Sequence, residues 1–150
     1  MKRIIAVLVF LASIFALYSC TFSRIITPTE SESSFDGVYI VIDSLEGDGK
    51  EEKLNVTWHN ETDFDVVFGY RYMIEYNDDG NWKSAMIRDF AVIEIACVVN
   101  SGSTANMSYR TEYFSLNKEG RYRLVVDFYV HNSEVDSTSG TSYAYFTVTK

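Results

Sequence analysis

The chain has 150 residues and a formal net charge of −8, with 47% hydrophobic residues, eleven Tyr, ten Phe and a single Pro. That length holds one domain once a targeting segment is set aside, and the aromatic bias suits a pleated sheet. The acidic balance excludes a nucleic-acid binder, which needs a basic footprint, and excludes electrostatic attraction to anionic lipid.

Lys2 and Arg3 open the chain as a positive n-region, and residues 4–17 are apolar except for Ser13. The stretch is too short for a spanning helix of about 20 residues and has the dimensions of a signal-peptide core. It ends Leu17-Tyr18-Ser19-Cys20. This resembles the lipobox of bacterial lipoproteins, with an aliphatic residue at −3, a small residue at −1 and then the cysteine, while Tyr18 departs from the small residue usual at −2. The resemblance implies cleavage after residue 19 and lipidation of Cys20: its thiolate takes a diacylglyceryl group, and the freed amino group can take a further acyl chain. Two signals anchor stably where one chain is marginal. Removing residues 1–19 leaves 11 basic against 21 acidic residues, a net −10. Lipid on Cys20 is therefore the expected membrane attachment. An ordinary secretory signal, with Cys20 free or bonded to Cys97, is the alternative.

Residues 20–36 carry Ser, Thr, Pro28 and acids without an apolar period, and read as a flexible tether reaching about 20–25 Å. From residue 37 to 150 the pattern is strands and turns. Residues 38–43 put Val38, Ile40 and Ile42 on one face, and residues 54–59 do the same with Leu54, Val56 and Trp58. Residues 66–76 form a long strand with Val66, Phe68, Tyr70, Tyr72, Ile74 and Tyr76 in register, and Asn77-Asp78-Asp79-Gly80 is a hairpin turn. Residues 82–87 return antiparallel. Residues 90–99 read as the most apolar strand, with Ala91, Ile93, Ile95, Cys97 and Val99 on one face. Strands at 107–114, 121–131 and 141–149 follow, with a loop over 132–140. Seven or eight strands imply an all-β sandwich of two antiparallel sheets.

Chemistry is sparse. Two cysteines make no disulfide framework, and Cys97 on an apolar strand face reads as a small buried hydrophobe. His59 and His131 alternate away from the apolar stripe and lack further ligands at metal spacing. The acids at 46–52, 63–65 and 78–79 lack the spaced pattern of a dedicated calcium loop. There is no phosphate loop and no nucleophile elbow. Neither metal nor cofactor is expected, and no catalytic residue is assigned. Tyr72, Tyr76, Tyr109, Tyr113, Tyr129, Tyr143 and Tyr145 include several that face outward, and exposed Tyr and Arg favour binding surfaces.

Leu116-Asn117-Lys118-Glu119-Gly120-Arg121-Tyr122-Arg123-Leu124 resembles the entry to the sixth strand of immunoglobulin-like domains. The resemblance implies a tyrosine corner, with Gly120 at the turn, the Tyr122 hydroxyl bonding back to the chain and Leu124 at the core position where antibody domains carry a cysteine. Residues 54–62, 76–82 and 120–124, with Phe146-Thr147-Val148, together resemble bacterial Ig-like domains of exported proteins, often lipoproteins. That implies fold and export, with no shared catalytic residues to transfer. Together with the signal, the tether and the sandwich pattern, the expectation is a non-catalytic binding or assembly module, lipid-anchored on the extracytoplasmic face of a bacterial membrane and contacting an envelope protein or glycan. A protease inhibitor of the same fold is the alternative, with an unrecognised hydrolase behind it.

Overall fold

Nine strands form, and the first lies where the sequence predicts none. The computed structural model describes residues 24–47, 51–93, 95–131 and 138–149, so the expected signal peptide and Cys20 lie outside the described residues. Within the expected tether, β1 (Ile25–Ser33) pairs antiparallel with β9 (Thr138–Thr149), from Ile25 opposite Thr149 to Ser33 opposite Ser142. Pro28 cannot donate to a ladder, and the register shifts between Pro28 and Ser31, which is how an edge strand accommodates it. A strand thus occupies part of the expected tether, and the described residues hold nine strands where seven or eight were expected.

A three-stranded sheet has the order β2 (Val38–Glu46), β3 (Lys53–Asn60), β7 (Ser103–Arg110). The six-stranded sheet runs β1, β9, β8 (Gly120–His131), β4 (Asp65–Asp78), β5 (Asn81–Ser84), with the short β6 (Cys97–Val99) also on β4. Every pairing is antiparallel. Strict alternation on β2, β3 and β8 sends Val38, Ile40, Ile42, Leu54, Val56, Trp58 and the even residues from Tyr122 to Val130 into the space between the sheets. Trp58 joins them. Its ring stacks on Phe68 at 4.3 Å and meets Phe128 edge-on at 5.9 Å, and its Nε1 donates to the Tyr109 hydroxyl at 3.1 Å.

The turn after β4 places Asp79 and Gly80 at positive φ, 51° and 89°, the pair a two-residue hairpin of primed type requires. β4 itself is interrupted. Phe68 faces Phe128, but the next pair is Tyr72 with Val126, so residues 69–71 oppose Asp127 alone. Because two extra residues are inserted, the period of two survives: Val66, Phe68, Tyr72 and Ile74 are all buried. Tyr70, expected among them, is lifted out.

The strand expected over residues 90–99 shrinks to β6. β5 takes the edge of β4 beyond Glu75, β6 takes Val66 to Phe68, and the bulge between offers no straight edge to pair with. Across that gap residues 85–93 and 95–96 make an irregular connection, leaving Ile93 and Ile95 exposed instead of buried. β5 likewise ends at Ser84, short of the expected residue 87, and β7 ends at Arg110, short of 114.

Burial raises the pKa of the Tyr109 and Tyr72 phenols above the ordinary 10.0. A raised folded-state value means that stability is complete below pH 10 and falls as the pH climbs beyond it. Urea midpoints should hold from neutrality to about pH 10 and then decline, and a flat profile through about pH 11 would contradict the assignment. Tyr109→Phe should lose about 1–2 kcal/mol at neutral pH by orphaning the Trp58 N–H, and should show a shallower alkaline decline.

Candidate functional site: an arginine and aromatic face

The solvent side of the six-stranded sheet is built by the residues that alternate with the core. On β8 these are Arg121, Arg123, Val125, Asp127 and Tyr129, flanked by Glu75 and Met73 on β4 and by Tyr143 and Tyr145 on β9. Glu75, Arg123 and Tyr145 form one cross-strand row, and Met73, Val125 and Tyr143 the next. Trp82 on β5 completes the cluster.

Rings and guanidinium groups interleave. The Arg123 guanidinium lies 4.4 Å from the Trp82 ring centre and 4.7 Å from that of Tyr143, while Arg121 lies 4.7 Å from Tyr145 and 5.8 Å from Trp82. Trp82 and Tyr145 are themselves 5.5 Å apart. Each contact adds roughly 0.5–1 kcal/mol at an exposed site and more when desolvated.

Three carboxylates fix this stack. Glu75 Oε2 accepts from Arg123 Nε and NH2, each at 2.7 Å; Glu30 pairs with Arg121; and Glu32 Oε2 accepts the Tyr145 hydroxyl at 2.7 Å. Burial and that carboxylate bond raise the Tyr145 pKa, so the phenol stays a donor at neutral pH. Glu30 and Glu32 belong to β1, the segment expected to be tether, and sequence reasoning missed both. The only signal was their spacing of two, with Ser31 between. Chemically, the face offers oriented guanidinium edges, an indole and phenols.

The other expected residues fall elsewhere. The Tyr122 hydroxyl donates to the Lys118 carbonyl at 2.9 Å, Gly120 holds a φ of 140° open only to glycine, and Leu124 is fully buried, so these three sit together at the entry to β8. Leu17, Ser19 and Cys20 lie outside the described residues. Cys97 is half-buried on β6, and of the residues expected to share its face only Val99 is buried. His59 stacks on Tyr39 at 4.7 Å on the small sheet, while His131 ends β8, so the two histidines do not converge. No group of three or more potential metal ligands occurs among the described residues. Tyr72 and Tyr109 belong to the core, whereas Tyr129 is exposed and Tyr143 half-buried.

A cleft of about 530 Å³ follows the β1–β2 seam, with Glu30, Asp36 and Tyr39 among its lining. Glu30 is engaged by Arg121, and neither histidine nor cysteine lines the cleft. Its groups do not make a catalytic constellation.

A family model described as bacterial Ig-like domain matches residues 34–146. The chain belongs to that family. Domains of the family are typically non-catalytic modules. A search of curated proteins found no match. The match begins at residue 34, so β1, with its two carboxylates, lies ahead of the matched region.

If the stack is coupled as its geometry requires, Arg123→Ala and Trp82→Ala should be non-additive. A double-mutant cycle by urea unfolding should return about 0.5–2 kcal/mol of coupling, and additivity would remove the stack as a unit.

Proposed function

We propose that this Ig-like chain is a non-catalytic binding module, exported and held on the extracytoplasmic face of a bacterial membrane by lipid on Cys20. The module presents the arginine and aromatic face to an envelope protein. The observation that supports binding is the prearranged stack of Trp82, Arg121, Arg123, Tyr143 and Tyr145 with its carboxylate clamps. Tyr, Trp and Arg dominate interface energetics, and side chains already held in place lose little entropy on contact. A protein suits the face better than a glycan. The ring faces that a sugar would stack on are taken by guanidinium groups, whose free edges suit carboxylates and carbonyls.

The anchor reading draws on Lys2, Arg3, the short apolar core and the Leu17-Tyr18-Ser19-Cys20 motif. With β1 starting at Ile25, only four residues separate it from Cys20, a reach of about 15 Å. The module would then stand close to the bilayer, not at the end of a long tether.

In cells expressing the full chain, Cys20→Ala should abolish metabolic labelling by fatty acid and release the protein from the membrane fraction; unchanged labelling and localisation would overturn the anchor. Crosslinking in native membranes should yield a partner adduct that Arg123→Ala or Trp82→Ala removes and Val41→Ala, on the other sheet, leaves alone. An adduct indifferent to Arg123 and Trp82 would place the contact elsewhere.

A further inference from the structure

The bulge in β4 and the irregular connection over residues 85–96 together leave a second surface. The connection is pinned to the core by Phe90, whose ring stacks on Tyr113 at 4.5 Å and lies 5.2 Å from Tyr72. Between this wall and the sheet runs a groove of about 540 Å³, floored by Val67, Arg71 and Asp127 and walled by Val92, Ile93 and Ile95. In and beside it Ile93, Ile95, Val98 and Tyr129 are each more than half exposed. Aliphatic side chains gathered at this density on a charged domain mark a contact surface.

Two charges in the groove identify the occupant. Residues 69–71 oppose Asp127 across the bulge, so Arg71 and Asp127 stand at the same height along the strands. Both line the groove. Asp127 accepts a hydrogen bond from the Thr141 hydroxyl at 2.7 Å, and among the described residues neither it nor Arg71 has an ion-pair partner. We infer that the groove is covered by a second copy of this chain, related by a two-fold axis parallel to the strands. Such an axis preserves height and exchanges sides, so Arg71 of each copy meets Asp127 of the other, and the exposed isoleucines pack across the axis. A cation and an anion at one level in one apolar groove are self-complementary in that arrangement alone. The bilayer is a poor occupant. The chain enters at Ile25, level with the end of β9, and the groove lies level with Phe128 and Gly140, eight residues or about 26 Å along β8 from the level of Gly120. The inference rests on the groove and does not depend on lipid at Cys20.

The test uses two differently tagged copies of the full chain, co-expressed, extracted in mild detergent and purified through one tag. Wild-type copies should co-purify. Arg71→Asp in both copies sets aspartate against aspartate, and Asp127→Arg in both sets arginine against arginine, so each should cut recovery of the second tag at least about tenfold. An Arg71→Asp copy paired with an Asp127→Arg copy restores both contacts and should recover the wild-type level, which a misfolded variant could not do. Ile93→Glu in both copies should also abolish recovery. Wild-type copies that do not co-purify, recovery indifferent to Arg71→Asp, or a mixed pair no better than either variant alone would each overturn the inference.

Discussion

Trp58 lies against the last pair of residues before β4 leaves its ladder, and much of the molecule depends on that placement. It stacks on Phe68 and meets Phe128 edge-on, and those two residues face each other across β4 and β8. Three rings from two sheets thus fix the register on one side of the bulge. On the other side Tyr72 resumes the ladder with its hydroxyl donating to the Arg110 carbonyl at 2.5 Å, which ties the large sheet to β7. Between two anchored points, residues 69–71 have more chain than the partner strand can pair. Their excess must bow outward, which exposes Tyr70, carries Arg71 into the groove and leaves the connection over residues 85–96 without a straight edge to follow.

The same rigidity gives the outer face its order. Arg121 and Arg123 sit on β8, whose inward residues are buried from end to end, so their backbone positions are set by the core. What remains free is the rotamers of two long side chains. Glu75 constrains Arg123 and Glu30 constrains Arg121, Glu32 holds the Tyr145 ring in place, and Trp82, Tyr143 and Tyr145 lie against the guanidinium groups. A chain with a large excess of acid holds these two arginines in neutralised stacks, where their shape and hydrogen-bonding edges outweigh their net charge.

Where local chemistry decided the outcome, the sequence was readable. Trp58 alternates with Val56 and Leu54, and Tyr122 stands two residues after Gly120 and two before Leu124; both sit where those patterns imply. Asp79 and Gly80 made a turn for the same reason, since few residues accept positive φ. β1 was hidden because nothing aliphatic follows Ile25 and Ile26 within Ile25–Ser33 and Pro28 argues against a strand. Its ladder is supplied by β9, more than a hundred residues away, and no local pattern carries that information. Residues 90–99 misled for the opposite reason: an apolar run looks like core, and only the bulge in β4 shows that no core position remains for it. The tyrosines divide by register, with Tyr72 and Tyr109 inward and Tyr129 outward, and the bulge that sets part of that register has no signature of its own.

The two surfaces lie at different heights on the same side of one sheet. The arginine stack occupies the end of β8 near Arg121 and Arg123, level with the end of β4 that carries Glu75, whereas the groove lies beside Asp127 and Tyr129. A two-fold axis parallel to the strands would bring the grooves together and leave both stacks at the same height, each beside the end where its chain enters at Ile25. Because the bulge both creates the groove and carries Arg71 into it, a single interruption of one ladder sets the groove apart from the stack.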